Sequence, residues 1–144
     1  MPTTVRQMLA RKSQVLSVLP SATMLDALSL MAERNVGAAL VVDGDTLVGI
    51  VTERDYARKV ALLGRRSADT PVSDVMSTSV ITVDPSWTAD QCVVLMDEKH
   101  IRHLPVLDGG TLVGVLSIRD AVKAIIAEQQ FTIQELHNYI TQQS

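Results

Sequence analysis

Aromatic side chains are almost absent from this chain: Tyr56, Trp87, Phe131 and Tyr139 are the whole set among 144 residues. A hydrophobic core must therefore be assembled from Val, Leu, Ile, Ala and Met, which dominate the 47% hydrophobic content. Cysteine is scarcer still. Cys92, alone, excludes an intramolecular disulfide and any zinc site built on several thiolates. A globular chain of this length buries roughly 70% of the surface its unfolded form exposes, so it needs neither device to fold. Charge of one sign is also missing: 13 Lys and Arg against 16 Asp and Glu leave a net charge of −3. That balance provides no global basic field for nucleic acid. No run of about 18 apolar residues occurs, so no membrane span is expected. The start, MPTTVRQMLARK, lacks the apolar stretch of about 7–15 residues that a secretory signal requires. A cytoplasmic protein is the expectation. Enzyme signatures are lacking too, with no Walker loop, no GxGxxG and no Ser-His-Asp arrangement.

What the chain does have is repetition. TLVGIVTERD at 46–55 returns as TLVGVLSIRD at 111–120. Shifted by 65 positions, the match extends over residues 15 to 60 without a gap. Val15, Val18, Pro20, Ser21 and Thr23 fall on Val80, Val83, Pro85, Ser86 and Thr88, and Val41, Asp43 and Gly44 fall on Val106, Asp108 and Gly109. VRQML (5–9) resembles VSDVM (72–76) with a further two-residue shift. A self-similar chain is read as a repeated supersecondary unit.

Each copy has the same local signals. QVLSV and SVITV are short β-branched runs next to Pro, hence strands. TMLDALSLMAERN and TADQCVVLMDEKH carry apolar residues at helical spacing, with Thr23 and Thr88 as N-caps. AALVV and LPVL are strands joined by DGD and DGG turns to TLVGIV and TLVGVL, giving a hairpin per copy. ERDYARKVALL and IRDAVKAIIAEQQ are helices. The unit is β-α-β-β-α, used twice, in an α/β fold whose copies are expected to cover each other about a pseudo-two-fold axis. The expected organisation is residues 1–63 for copy one, 64–71 for a Gly, Ser and Pro-bearing linker, 72–128 for copy two, and 129–144 for a helical tail.

Thr52-x-x-Asp55 and Ser117-x-x-Asp120 open helices and read most simply as capping boxes in their Asp form. Three features point further. Gly49 and Gly114 lie three residues ahead of the hydroxyl, where a missing side chain permits close approach. Arg54 and Arg119 stand next to the Asp, so a carboxylate able to accept from ribose hydroxyls sits beside a guanidinium able to pair with phosphate. Helix N-termini also favour anions. A cap and a site are compatible on the same residues.

With both copies ending in Gly-apolar-apolar-[Ser/Thr]-x-x-Asp, the chain resembles a tandem cystathionine-β-synthase (CBS) domain pair, or Bateman module, of the stand-alone bacterial and plant-organelle type. The resemblance covers about residues 5–128. It implies a non-catalytic regulatory module that binds an adenine nucleotide (AMP, ADP, ATP or NAD(H)) between the repeats, forms a homodimer and transmits the bound state to a partner protein. It implies that Asp55 and Asp120 hold ribose hydroxyls and that Thr52 and Ser117 contact ribose or phosphate. Gly37-Ala38 and Arg102-His103 would border the ligand, with Lys12 and Thr82 as further candidates. Because Arg102-His103 replaces Gly37-Ala38, two non-equivalent sites are expected, the second richer in phosphate contacts.

Other residues have plainer readings. His100-x-x-His103 has metal-like spacing but straddles a helix end and a strand, so no metal is expected. Cys92 replaces Ala27 on an apolar helical stripe and reads as a small core residue. Trp87, in place of Ala22, suits stacking on an adenine, an interface or a core cap. Met8, Met24, Met31, Met76 and Met96 read as core filler. The rival reading is a structural or protein-interaction module whose nucleotide sites are vestigial and whose C-terminal helix is the active surface.

Overall fold

The computed structural model describes residues 2–10 and 15–143. Its elements run α1 (Val5–Leu9), β1 (Ser17–Val18), α2 (Met24–Arg34), β2 (Ala38–Asp43), β3 (Thr46–Thr52), α3 (Glu53–Tyr56), α4 (Ala89–Lys99), β4 (His103–Asp108), β5 (Thr111–Ser117) and α5 (Ile118–Gln143). α3 continues into a π-helical turn, Ala57–Ala61, and short 3₁₀ turns lie at Ser67–Asp69 and Val72–Asp74. The mixed α/β architecture has two small sheets and a long C-terminal helix, with strand orders β1-β2-β3 and β4-β5. The tail FTIQELHNYI prolongs α5.

Local chemistry explains the elements. α2 and α4 each begin at a threonine whose hydroxyl accepts from a backbone N–H three residues on, Asp26 after Thr23 and Gln91 after Thr88. Their inward residues, Met24, Ala27 and Met31 on α2 and Ala89, Cys92 and Met96 on α4, recur at helical spacing and are buried. Both helices end in a left-handed residue, Asn35 and His100, which turns the chain toward the next strand. β2 and β3 form an antiparallel hairpin in which Ala38 stands opposite Thr52, with one bulge between Val41 and Val42. The first strands are shorter than the β-branched runs suggest. In copy one only Ser17–Val18 pairs, parallel to β2, and in copy two SVITV is reduced to a single parallel bridge, Val83 to Val106.

The chain divides into two compact units that do not follow the order of the copies. One contains residues 15–81 with Gly110–Leu112. The other gathers the described N-terminal residues with Thr82–Gly109 and the chain from Val113 onward. The segment ahead of each copy thus belongs with the other copy. In the second-copy unit, Val5 N–H donates to Trp87 O (2.7 Å), Ala89 N–H to Thr3 O (2.9 Å) and Arg6 N–H to Pro85 O (3.0 Å). In the first-copy unit, Val72 N–H donates to Ala22 O (2.7 Å), Met24 N–H to Thr70 O (2.8 Å) and Ser73 N–H to Pro20 O (3.0 Å). These are the same three bonds at repeat-equivalent positions.

The two cores also correspond at every position but one. Met24, Ala27, Met31, Ala39, Val41, Val51, Val60, Val72 and Val75 form the first. All but one of their counterparts, Ala89, Cys92, Met96, Leu104, Val106, Leu116, Val5 and Met8, are buried in the second unit, and Ile125, opposite Val60, is half-buried. Volume is redistributed rather than kept site by site. Met24 becomes Ala89, while Ala39 and Val51 become Leu104 and Leu116. Close packing tolerates such trades when total volume is retained.

Candidate functional site

The repeated motif is built identically in both units. In the first, Asp55 N–H donates to Thr52 Oγ1 (3.1 Å) and Thr52 N–H donates to Asp55 Oδ2 (3.0 Å). In the second, Asp120 N–H donates to Ser117 Oγ (3.2 Å), and Asp120 Oδ2 accepts from both the N–H and the hydroxyl of Ser117 (2.9 Å each). The capping reading is therefore correct for both copies. The entrance to the preceding strand is tied to the same helix start. Glu53 N–H donates to Gly37 O (3.0 Å) and Ile118 N–H to Arg102 O (2.8 Å). Gly37 and Ala38 are thus brought beside Thr52 and Asp55, and Arg102 beside Ser117 and Asp120.

The remaining candidates are placed as follows. Arg54 and Arg119 are exposed within the first turns of their helices. His103 opens β4 and is half-buried. Thr82 is half-buried next to Val83, which bridges to Val106 of β4. Lys12 lies outside the described residues. Trp87 is half-buried and joins the second unit through its carbonyl. Cys92 is fully buried, and burial pushes its thiol up to about 11, so it stays protonated at neutral pH. His100 is the exposed left-handed cap of α4, and among the described residues no cluster of three His, Cys, Asp or Glu side chains is placed to share a metal ion.

The two glycines have a packing cause that the sequence reading did not contain. A Cβ on Gly49 would stand 2.6 Å from Met76 Sδ and 3.0 Å from Ser77 O, and one on Gly114 would stand 2.7 Å from Leu9 Cδ2. Met76 and Leu9 are equivalent residues of VSDVM and VRQML. In each unit the segment from ahead of the other copy is what approaches the strand.

Lys59 was also missed. Its ammonium lies 3.4 Å from Asp55 Oδ1 and donates to Val75 O at 2.9 Å. An acidic residue followed four positions later by Lys on a helix is a readable signal, but the π-helical turn that carries Lys59 is not. Copy two has Ala124 at this position. A small recess of about 270 Å³ lies between the end of α2 and the start of α3, lined by Leu28, Met31, Ala32, Asn35, Val36, Gly37 and Glu53.

A comparison with protein-family models matches the CBS domain twice, over residues 5–62 and 72–127. A CBS domain-containing mitochondrial protein of Arabidopsis thaliana, CBSX3, is 40% identical over 123 residues, covering 82% of this chain. This chain spans only 60% of that relative's length. Among solved structures, a protein with CBS domains from Burkholderia ambifaria MC40-6 is 52% identical with a TM-score of 0.85, covering 91% of this chain and 99% of that one. The CBS domain pair of protein MJ0100, solved with 5′-methylthioadenosine and S-adenosyl-L-methionine, shares the fold at a TM-score of 0.78 and 22% identity, over 89% of this chain and 99% of that one. With the β-α-β-β-α copies, the twice-built cap and two family matches spanning most of its length, this chain belongs to the CBS-domain family as a tandem pair.

Proposed function

We propose that this CBS pair is a non-catalytic regulatory module that binds an adenosyl ligand, of the AMP, ADP, ATP or NAD(H) type, at the two Asp55 and Asp120 motifs. The carrying observation is how these two caps differ from the chain's other capping boxes. Thr4 with Gln7, Thr23 with Asp26 and Thr88 with Gln91 form the same reciprocal bonds at exposed helix starts. Two of those three use Gln, so capping alone does not demand Asp. The motif at 52–55 and 117–120 keeps Asp in both copies, half-buries it, and puts an exposed Arg beside it. A vicinal diol donates two hydrogen bonds, and a carboxylate has about four lone-pair sites, so Asp can cap and accept together. Arg54 and Arg119 then reach phosphate. Gly37, Ala38, Arg102 and His103 border the two motifs, and Thr82 and Lys12 complete the proposed set. The adenosyl ligands of the MJ0100 pair support this class of ligand.

In this reading the module works in the cytoplasm as a homodimer and passes its bound state to a partner protein by differential affinity. No helix among the described residues is long and apolar enough to cross a membrane. Titration calorimetry of nucleotide-stripped protein with AMP, ATP and NADH tests the proposal. Asp55→Asn and Asp120→Asn keep a capping acceptor and remove the charge. Each is expected to lose at least tenfold in affinity at its own motif while staying folded, with a melting temperature lowered by only about 2–4 °C for the lost helix-start charge and, at Asp55, the pair with Lys59. No heat with any ligand, in a folded protein, overturns the reading in favour of the interaction module. That alternative is favoured by one observation, the apolar exposure of the C-terminal helix.

A further inference from the structure

The last half of α5 is exposed on every side. Up to Glu128 the helix is held: Ala121 is fully buried, the helix packs on α4, and Thr3 N–H donates to the Glu128 carboxylate. From Gln129 to Gln142 every side chain is exposed. Yet Ile133, Leu136 and Ile140 are among them, at 66%, 57% and 67% exposure.

At 3.6 residues per turn, these three share one stripe with the exposed Val122 and Ile126. The steps along it alternate between three and four residues, with Gln129 filling the one polar place. This is the repeat of a helix–helix seam, and Ile and Leu in alternation along it favour two strands. Phe131 and Tyr139 lie off the stripe, Phe131 on the opposite side.

The flanks select a second copy over a charged partner. From Ile126 onward Gln130, Thr132, His137 and Tyr139 border the stripe without a carboxylate or a lysine, Lys123 stands at its base beside Val122, and Glu128 and Glu135 lie away from it. From Ile126 to Ile140 two identical stripes therefore meet without like-charge repulsion, and that length carries no flanking charge that a basic or acidic partner would satisfy. The stripe presents on the order of 500 Å² of apolar surface per copy, at the upper end of what a monomer leaves in one patch. Doubled, it reaches about the 1,000 Å² at which a specific but weak interface begins. Because α5 is already helical and anchored at its base, pairing orders little further chain.

We propose that α5 is the contact surface for a second copy of this chain, the two helices packing along Ile126, Ile133, Leu136 and Ile140. This deepens the homodimer part of the reading above and is independent of the ligand. Sedimentation of the full chain over a roughly hundredfold dilution series should show a monomer–dimer equilibrium. Ile133→Gln with Ile140→Gln should shift the midpoint at least tenfold to higher concentration with unchanged melting temperature, while Phe131→Gln leaves it in place. A dimer that persists unshifted in the double variant overturns this surface and keeps the homodimer. A wild-type chain that stays monomeric throughout overturns both.

Discussion

The two copies make the same cap and place their nearby cations differently. In copy one the strand entrance is Gly37-Ala38, without charge, and a lysine on the helix, Lys59, stands against Asp55 and the Val75 carbonyl. In copy two the helix position is Ala124, and the positive charge sits at the strand entrance in Arg102. Copy one winds Ala57–Ala61 as a π-helix, and copy two continues as regular helix within α5. A π-turn inside a helix is uncommon and is often found at functional positions. Two motifs of one repeated pattern thus stand in different electrostatic surroundings while keeping the carboxylate and hydroxyl constant. Net charge does not show this, because each copy has its cation at a different element.

The cores give the strongest way to break that equivalence. Met24→Ala places in copy one the residue that copy two has at Ala89. Without the larger Leu104 and Leu116 to fill the space, it should cost about 2–5 kcal/mol, read by urea unfolding. Adding Ala39→Leu and Val51→Leu should recover at least half of the loss. If the single change is neutral, the two cores do not trade volume as described.

The glycines sharpen the comparison at a lower level. Gly49→Ala meets both Met76 Sδ and the backbone Ser77 O, whereas Gly114→Ala meets only the mobile end of Leu9. Overpacking of this kind costs about 1–3 kcal/mol, so Gly49→Ala should fall near the top of that range and Gly114→Ala near or below its bottom. Equal losses in thermal unfolding would remove the distinction between backbone and side-chain obstruction.

Smallest is the lysine exchange. Lys59→Ala should destabilise by about 0.5–1 kcal/mol, since the pair is half exposed and one carbonyl loses its donor. Ala124→Lys places a lysine four residues after Asp120 and should stabilise by about 0.3–0.5 kcal/mol. Opposite signs in parallel unfolding curves would show that the cation can be moved between copies. The same sign for both would mean that the π-turn, rather than the residue, makes the pair.

Much of the site was legible because it is local. The reciprocal bonds of Thr52 with Asp55 and Ser117 with Asp120 span three residues, and so do the caps at Thr23 and Thr88. The hairpins follow from DGD and DGG, and the helical character of the tail follows from its spacing, though not whether it joins α5 or stands apart. The first strand of copy two was less legible. SVITV has β-branched composition, but it meets β4 only through Val83, and propensity without a paired edge does not make a strand. Lys59 lies four residues after Asp55, a spacing visible in the sequence, but its bond to the Val75 carbonyl brings in chain sixteen residues away that no local spacing shows.

By itself the sequence determined the family, the two-fold repetition, the helix starts and the hairpin partners, because each depends on residues close in the chain or on matching one copy to the other. Only the tertiary structure decided which segment covers which copy. Val5 and Leu9 pack with the second copy, and Val72 and Met76 with the first, since burial rewards apolar area without regard to sequence distance. That choice explains Gly49 and Gly114. No spacing in the sequence says that the side chain approaching each glycine comes from the segment ahead of the other copy.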